Sequence, residues 1–563
     1  MSGDATGAVI LPSRTPWRRW FAGGLTVGVL AGTVGFLVST GAASSAGLPP
    51  AAPRFVDETV ASGVRQVYDG GFSFFVGGGV AVLDCDDNGL PDLYLAGGVN
   101  PAALYRNRSA IGGSLAFEQL PAAVTDLTRV TGAYPVDIDA DGLVDLAVLR
   151  DGENVLLRGL GGCQFERANE MWGFDGGHSW TVGFSATWED PDRLPTLAFG
   201  NYLGPERADG SRRCADSALY RAASGQPRYE PPVPLRPGKC TLSVLFADWD
   251  GSGRRDLRMT NDRHYYRQGG EQLWHIEAGQ PPRLYTAAEG WQDLRIWGMG
   301  IASQDVTGDG VPEVFLTSQG DNRLQTLDGS PGQPAYSDIA IRRGVTAHRP
   351  FMGDNVLPST AWHPEFEDVN NDGVVDLYIS KGNVDAQVDH AADDPSNLLL
   401  GQTDGTFVEA ARRAGVVSLG KSRGAALADL NLDGLLDLVE VNRSANVRLW
   451  RNAGGGDAAS PVALGHWLAV RLVQAGANRD AIGSWIELRT ADGSSLRQLT
   501  IGGGHASGQL GWVHLGLGTA DSAEVRVRWP DGETGPWVPV DADQFVVVER
   551  GASEAVPWTP SGG

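Results

Sequence analysis

The sequence of 563 residues is poor in cysteine, in positive charge and in long apolar runs, and each shortage excludes a class of protein. Four cysteines are too few for a scaffold built from disulfides. Lysine and arginine number 45 against 68 aspartates and glutamates, and the net charge of −23 argues against binding to nucleic-acid phosphates. After residue 38 no segment is apolar enough to span a membrane.

The single long apolar run, residues 21–38, predicts export. It follows Arg18 and Arg19 and precedes small residues up to Ala46, as in a cleavable signal, and the arginine pair resembles a twin-arginine signal. The alternative is an N-terminal membrane anchor, although 18 residues with five glycines are short for a span. Both interpretations place the rest of the chain in the periplasm, on the cell surface or in the medium. Contact with a membrane is then expected only through the N-terminal segment.

Glycine is abundant, and one glycine-containing pattern recurs. The chain has 77 glycines, about twice the usual share, without the period of collagen. Residues 84–92 place oxygen-bearing side chains at positions 1, 3, 5 and 9, with glycine at position 6, between two apolar strand-like runs. The pattern starts again at residues 137, 248, 305, 368 and 429, and residues 188–197 read as a degenerate copy. The chain therefore contains seven units of roughly 55 to 60 residues.

These loops predict structural calcium sites. Ca²⁺ takes six to eight oxygen ligands, glycine permits the sharp turn, and position 7 supplies a backbone carbonyl. The degenerate third copy is expected to bind nothing, so we expect about five or six Ca²⁺ ions. The predicted ligands are Asp84, Asp86, Asn88, Leu90, Asp92, Asp137, Asp139, Asp141, Leu143, Asp145, Asp248, Asp250, Ser252, Arg254, Asp256, Asp305, Thr307, Asp309, Val311, Glu313, Asp368, Asn370, Asp372, Val374, Asp376, Asp429, Asn431, Asp433, Leu435 and Asp437.

Repeats of strands at this length favour an all-β fold, a seven-bladed β-propeller with one four-stranded sheet per unit. The loops resemble the FG-GAP/VCBS repeats of integrin-type propellers, and we assign residues 47–455 to this domain. Two long insertions, 204–239 and 381–397, are each expected to follow a second strand and to project from the face opposite the acidic loops. Cys214 and Cys240 bracket the first insertion and are predicted to form a disulfide in an exported protein.

The repeat stops at a glycine-rich linker, residues 456–463, and a small antiparallel β-sandwich-like domain is expected at 464–552, followed by a tail at 553–563. Asn478-Arg-Asp-Ala-Ile-Gly483, Gly516-Leu-Gly518 and Arg528-Trp-Pro-Asp-Gly532 resemble the ASPIC/UnbV domain. A propeller followed by this domain resembles the cartilage acidic protein family, which has secreted and bacterial members.

Signals of catalysis are weak. Residues 415–422 match a phosphate-loop pattern but lead directly into the loop at Asp429 instead of a helix, so no nucleotide is expected. His363 lies near two glutamates, and a packed histidine is favoured over an acid–base group. We therefore predict no catalytic or cofactor-binding residues beyond calcium. The predicted function is an exported module that binds an extracytoplasmic protein or glycan. The alternatives are a cyclase-like biosynthetic enzyme, as the UnbV resemblance implies, or a polysaccharide lyase.

Overall fold

The structure is a computed structural model that describes residues 51–191, 193–262, 270–328, 331–491 and 493–560. The predicted export signal or anchor at residues 1–46 lies outside the described residues. From Pro49 onward the described residues belong to one unit. Among them, none of the helices has the length and apolar character needed to cross a bilayer.

The described residues before 458 form seven sheets with four propeller strands each, and in sheets 1 to 6 four successive strands pair antiparallel in chain order. Strand β1 spans Pro53–Asp57, and sheet 1 contains β2 (Val80–Leu83), β3 (Asp92–Leu95), β4 (Ala103–Asn107) and β5 (Phe117–Gln119). Sheet 2 contains β6 (Val130–Val136), β7 (Asp145–Arg150), β8 (Val155–Gly159) and β9 (Phe165–Arg167). Sheet 3 contains β10 (Trp180–Thr187), β11 (Thr196–Leu203), β12 (Ser217–Tyr220) and β13 (Val233–Leu235). Sheet 4 contains β14 (Thr241–Ala247), β15 (Asp256–Asn261), β16 (Gln272–His275) and β17 (Arg283–Leu284), and sheet 5 contains β18 (Gly298–Gln304), β19 (Glu313–Ser318), β20 (Arg323–Leu327) and β21 (Tyr336–Asp338). Sheet 6 contains β22 (Ala361–Glu367), β23 (Asp376–Lys381), β24 (Asn397–Gly401) and β25 (Phe407–Glu409). Sheet 7 contains β26 (Lys421–Ala428), β27 (Asp437–Arg443) and β28 (Arg448–Asp457).

The sheets are arranged in a ring. The first strand of each sheet contacts the first strand of the next, and β26 of sheet 7 contacts β2 of sheet 1. Strand β1 completes sheet 7 by pairing antiparallel with β28, with Phe55 opposite Asn452. The innermost strands are buried on both sides, which explains the continuous apolar runs such as Val80–Leu83. The prediction of an all-β propeller is confirmed.

The ring has two faces. The acidic-loop face carries the connections between first and second strands, including residues 84–92, because antiparallel strands place alternate connections at opposite ends. The opposite face carries the connections between second and third strands and between successive sheets. Residues 382–396 lie there, as the sequence predicts.

The expected insertion at 204–239 is smaller than predicted. Only residues 204–216 form a connection on the opposite face, because β12 and β13 occupy part of the remainder. Strand β13 is not recognisable from the sequence because it contains Pro234. Strand β13 is an edge strand that pairs only with β12, and an edge position tolerates a residue without an N–H group.

The helices are short and lie in connections on the opposite face. They are α1 (Ala340–Arg343), α2 (Ala411–Ala414) and two 3₁₀ turns at Phe72–Phe74 and Ala287–Glu289. Gly415 ends α2 with a φ of 84°, and the chain enters β26 at Lys421. The phosphate-loop pattern at 415–422 is thus followed by a strand instead of a helix.

The C-terminal domain consists of two packed four-stranded sheets, β34-β30-β37-β38 and β32-β31-β35-β36. Apolar side chains from both sheets, such as Val470 and Val527, form one core. The strands are β29 (Ser460–Val462), β30 (His466–Val473), β31 (Trp485–Arg489), β32 (Ser494–Gln498), β33 (Gly508–Gln509), β34 (Val513–Gly518), β35 (Ser522–Arg528), β36 (Val538–Asp541), β37 (Gln544–Glu549) and β38 (Val556–Trp558).

Three details differ from the sequence prediction. Residues 456–463 include a β hairpin, because β29 pairs with the end of β28 and Gly454 and Gly456 adopt left-handed φ values of 78° and 72°. Strand β30 pairs parallel with β37, so the sandwich is mixed instead of antiparallel. The expected tail contains β38, which pairs with β37.

Candidate functional site

Each acidic loop is a tight turn organised by its first carboxylate. Asp84 accepts hydrogen bonds from the backbone N–H groups of Asn88 (3.1 Å) and Gly89 (2.8 Å), and Asp368 and Asp429 bind the matching amides of their own loops. The glycine at position 6 has φ between +82° and +88° in all six loops. The recurrent glycine is therefore required by backbone conformation.

The closing acid at position 9 ties the loop to the third strand of its sheet. Asp92 accepts from the N–H of Cys85 (2.9 Å) and of Asn107 (2.7 Å), and it has no exposed surface. Asp145, Asp376 and Asp437 make the same pair of contacts. These acids hold the loop in place, and their oxygens are largely occupied by backbone donors.

Other loop oxygens are buried without a donor, and this is the observation that fits a metal. Oδ1 of Asp86, Asp137 and Asp248 and Oδ1 of Asn431 have no hydrogen-bond partner among the described residues. A buried acceptor without a partner costs free energy unless a cation or water satisfies it. Ligand atoms of Asp84, Asp86 and Asp92 lie within 4.8 Å of one another, as do those of Asp137, Asp139 and Asp145.

The electrostatics of the loops also favour a cation. Burial raises the pKa of Asp92 and of Asp145 to about 8, because desolvation penalises the carboxylate more than the backbone N–H groups stabilise it. Burial raises the pKa of Asp429 to about 8 as well, and the neighbouring Asp433 adds to the effect. A divalent cation would reverse this penalty by stabilising the ionised form of every carboxylate that it contacts.

The loops are not equivalent, because arginines reach some of them. Arg158 forms ion pairs of 2.6 Å with both Asp139 and Asp141. In the loop at 248–256, Arg254 at position 7 lies 3.1 Å from Asp256. The loops at 368–376 and 429–437 have no ion pair among the described residues.

The degenerate third loop is reached by an arginine from outside it, Arg221, which follows β12. Arg221 Nε lies 2.9 Å from Oε1 of Glu189, and Thr196 donates a hydrogen bond of 2.7 Å to the same oxygen. Thr196 stands where the other loops have their closing acid. A guanidinium therefore compensates the charge of this carboxylate.

The C-terminal domain lies on the acidic-loop face and covers several loops. A Cβ atom on Gly89 would come within 2.1 Å of the Trp558 ring, and one on Gly434 within 2.0 Å of Trp467. Trp485 Nε1 donates a hydrogen bond of 3.1 Å to Asp248. Gly89 and Gly434 therefore also provide space in which this domain sits.

One segment of the C-terminal domain, residues 501–509, enters the central channel of the ring. Residues 508–509 (β33) pair parallel with β2, and isolated bridges join Ile501, Gly502, Gly504 and Ser507 to the innermost strands of sheets 3, 4, 5 and 2. His505 and Ala506 have no exposed surface. We call residues 501–509 the plug.

The ring provides space for the plug through small residues at one register. The position five residues before each loop start is glycine in five sheets, serine in one and histidine in one: Gly79, Gly132, Gly183, Ser243, Gly300, His363 and Gly424. A Cβ on Gly79 or Gly132 would approach the carbonyl oxygen of Ala506 to 1.8 or 2.2 Å. These positions lie before the loops, so the loop pattern that predicts the repeats does not reveal them.

The single histidine in this ring contacts the plug directly. The N–H of His505 donates to Nδ1 of His363 (3.0 Å), and Nε2 of His363 lies 3.2 Å from Oε2 of Glu365. His505 Nε2 accepts from the N–H of Gly77 (3.1 Å), and burial lowers the pKa of His505 to about 3. Both nitrogens of His363 are thus engaged inside the protein, which favours a packing role.

All four cysteines are paired. Cys214 and Cys240 form a disulfide on the opposite face, with Cα atoms 4.5 Å apart. Cys85 and Cys163, which the sequence left unassigned, form a second disulfide that joins the loop of sheet 1 to sheet 2. These two cysteines are 78 residues apart, so no local sequence pattern indicates that they pair.

Comparison with known protein families identifies both parts of the chain. Residues 84–148 match the FG-GAP-like repeat, and residues 474–555 match the ASPIC and UnbV family. The chain combines FG-GAP-like repeats with an ASPIC/UnbV domain. The resemblance stated from the sequence motifs is confirmed.

Two curated relatives are similar to the chain. Cartilage acidic protein 1 of Mus musculus is 25% identical over 287 residues, which cover 48% of this chain and 41% of that protein. Cartilage acidic protein 1 of Xenopus tropicalis is 25% identical over 234 residues, 37% of this chain and 32% of that protein. The chain spans less than half the length of these relatives.

Solved structures show only distant likeness. An Agrocybe aegerita lectin that recognises non-reducing terminal N-acetylglucosamine is 16% identical, with a TM-score of 0.29 over 68% of this chain and 78% of that one. BBS1N in complex with ARL6DN is 10% identical, with a TM-score of 0.40 over 74% and 99%. Likeness at this level carries no argument about function.

Two stretches of the ASPIC/UnbV domain, residues 478–483 and 502–504, lie at its interface with the propeller. The Asn478–Gly483 turn contacts the acidic-loop face, where the Arg479 side chain lies over Gly142. The glycines at 502–504 lead the plug into the channel, where Gly503 and Gly504 adopt left-handed φ values of 71° and 55°. These motifs therefore fasten the ASPIC/UnbV domain to the repeats.

Proposed function

We propose that this protein is an exported, calcium-stabilised propeller that binds an extracytoplasmic protein or glycan through its opposite face. The observation that carries the proposal is the position of the ASPIC/UnbV domain. Because that domain covers the acidic loops and its plug fills the channel, the opposite face is the broad surface of the ring left for a partner among the described residues.

The opposite face has the character of a binding surface. Its connections expose large apolar side chains, namely Phe72 (46% exposed), Val99 (52%), Val356 (68%), Val388 (91%) and Leu419 (53%). Apolar groups clustered on loops of a rigid scaffold are typical of recognition sites. A cleft of about 490 Å³ beside Phe72 adds polar groups from Arg129 and Arg212.

Calcium in the acidic loops would make this scaffold rigid. The unpartnered oxygens of Asp86, Asp137 and Asp248 support a metal at those loops. Oxygen-only donors and the absence of free cysteine among the described residues favour Ca²⁺ over softer metals. Two disulfides also agree with export to an oxidising compartment.

Calorimetry tests the metal. The full chain, stripped with chelator and titrated with Ca²⁺, should bind about five or six ions and melt at a higher temperature when loaded. Binding of one ion or none would reject calcium as the stabilising group.

A glycan and extracellular-protein array tests the binding face. Val388→Asp and Leu419→Asp should weaken binding of the labelled full chain at least tenfold, because each places a charge in the apolar surface. Val462→Asp is the matched control for Leu419→Asp, since Val462 (55%) is as exposed as Leu419 (53%) but lies in the hairpin after sheet 7. Equal loss in the control, or no bound partner on the array, would contradict the proposal.

A further inference from the structure

The cleft beside Phe72 lies between two connections of the opposite face. One wall is the 3₁₀ turn at Phe72–Phe74, and the other is the connection formed by residues 204–216. The cleft has a volume of about 490 Å³. Sites for small molecules have volumes of roughly 300–1,000 Å³ and combine apolar walls with a few polar groups. The cleft therefore has the size of a site for a small ligand.

The two walls are fastened to each other and to the propeller. The guanidinium of Arg212 donates hydrogen bonds to Oγ of Ser73 in the turn (3.2 Å) and to the carbonyl of Gly204 in the connection (2.7 Å). Two residues further on, Cys214 forms its disulfide with Cys240, which directly precedes the first strand of sheet 4. The cleft is thus preformed, and a ligand would bind without first ordering these walls.

The turn presents an aromatic ring to the cleft. Phe74 anchors the turn, since it is only 3% exposed and packs in a T-shaped contact against Tyr68. Phe72 lines the cleft and is 46% exposed, while its ring meets that of Trp180 in a T-shaped contact with centroids 5.9 Å apart. The exposed part of the Phe72 ring is therefore a fixed apolar surface inside the cleft.

Arg129 is held in the cleft with one nitrogen left over. Its Nε donates to the carbonyl of Asp151 and its Nη2 to the carboxylate of Asp151, both at 2.6 Å, and Arg212 binds the other carboxylate oxygen (2.6 Å). Nη1 of Arg129 makes no hydrogen bond with a described residue, and the side chain is 52% exposed. The backbone φ of Arg129 is 64°, and a residue other than glycine keeps such strain only where its surroundings fix it.

Glu206 adds a carboxylate to the lining of the cleft. It is exposed and makes no hydrogen bond or ion pair with any described residue. Together with Arg129, Arg212 and Asp151, it makes two guanidiniums and two carboxylates, so the charges of the cleft balance. A carboxylate only accepts hydrogen bonds and a guanidinium only donates them. The matching ligand therefore carries donors and acceptors side by side without net charge, as the hydroxyl groups of a sugar do.

We propose that this cleft binds one uncharged pyranose unit of a glycan. The face of an aromatic ring carries partial negative charge and packs against C–H groups, which one side of a pyranose presents, so the sugar lies on Phe72. Its hydroxyl groups donate to Glu206 and accept from Arg129. The inference rests on the proposed binding by the opposite face, and it names the class of ligand and the residues that recognise it.

Titration of the calcium-loaded full chain with methyl glycosides tests the class of ligand. The probes are the methyl glycosides of glucose, galactose, mannose, xylose and N-acetylglucosamine, followed by ligand-observed NMR. At least one should bind at millimolar concentration or below, and methyl glucuronide should bind no more tightly than methyl glucoside. If none of these neutral glycosides binds, or if the charged glucuronide binds at least tenfold more tightly, the inference is refuted.

Variants test the position of the site. Glu206→Gln and Phe72→Ala should each weaken binding of the same glycoside at least tenfold. Glu170→Gln and Met171→Ala are the matched controls, because Glu170 is an exposed acid and Met171 (49% exposed) an equally exposed apolar residue in another connection of the same face. Since the Glu206 side chain has no partner among the described residues, Glu206→Gln should melt as the wild type. Unchanged binding by Glu206→Gln, or an equal loss in the controls, would place the sugar elsewhere and overturn the inference.

The inference and the proposed function fail separately. If the full chain captures an extracellular protein through Val388 and Leu419 but binds no glycoside, the pyranose site is refuted and the binding face stands. If neither the arrays nor the glycosides give a bound partner, both are refuted.

Discussion

Replacing Gly79 by alanine tests whether the plug fills the channel. The new Cβ would lie 1.8 Å from the carbonyl oxygen and 2.4 Å from the carbonyl carbon of Ala506, where real contacts do not fall below 3.0 Å. The plug backbone would have to move by at least 3.0 − 1.8 = 1.2 Å. Gly79 does not have a left-handed φ, so the backbone of β2 itself accepts alanine and the effect reports on the plug alone.

Overpacking a close-packed interior by one methyl group costs about 1–3 kcal/mol. If the plug stays in the channel, the ratio of unfolded to folded protein rises roughly 5- to 140-fold, because 1.4 kcal/mol is a factor of ten. If the plug leaves the channel while the ring stays folded, the hydrogen-exchange rates of the plug amides rise by the same factor. The N–H groups of Gly503 and Gly504 report this opening, since they bond to the carbonyls of Val244 (2.8 Å) and Ile301 (2.6 Å).

Urea denaturation and hydrogen exchange of the full chain measure the two outcomes. Gly71→Ala is the control, because a Cβ at Gly71 meets no atom within 4 Å and its φ of −75° suits alanine. The control should leave stability unchanged or slightly higher. If Gly79→Ala matched the wild type in both measurements, residues 501–509 would not lie against β2.

Two further predictions concern the interior and the cross-links. Burial lowers the pKa of His505 from 6.5 to about 3, so the stability contributed by the neutral ring is complete above pH 6.5 and is lost as the pH falls toward 3. His505→Gln should therefore lose stability less steeply on acidification than the wild type, as followed by thermal melting. Exposed His178→Gln should behave as the wild type, and parallel slopes for His505→Gln and the wild type would contradict the buried position. Replacing Cys85 and Cys163 by serine should lower the free energy of unfolding, measured by urea denaturation, by about 4.5 kcal/mol. Replacing Cys214 and Cys240 should lower it by about 3.5 kcal/mol, because the closed loops have sequence separations of 78 and 26 residues. The reverse order would refute the loop-entropy reasoning.

The acidic loops show what a sequence can reveal about a site. Asp84, Gly89 and Asp92 stand at fixed spacing because the turn is built from contacts between residues five and seven apart, so the pattern is visible in the chain itself. The same local rule predicts the strands on either side. Arg158 could not be anticipated in this way, since it lies in β8 and reaches the loop only because the sheet brings it there.

The small residues of the channel are an intermediate case. Gly79, Gly132 and Gly424 occupy one register of the repeat, and this regularity is readable without a structure. The role of these glycines cannot be read from the sequence, because glycine in a strand also marks bulges and close sheet packing. Only the position of Ala506 shows that the missing side chains make room for another part of the chain.

By itself, the sequence determines the all-β repeat, the acidic turns and the presence of a separate C-terminal domain, because each depends on spacing within a few residues of chain. The tertiary structure alone decides that β1 closes the ring on β28, that Cys85 bonds Cys163, and that the C-terminal domain seats on the acidic loops with its plug in the channel. These features depend on shape and charge complementarity between segments separated by 78 to more than 400 residues, and no periodic pattern encodes such pairings.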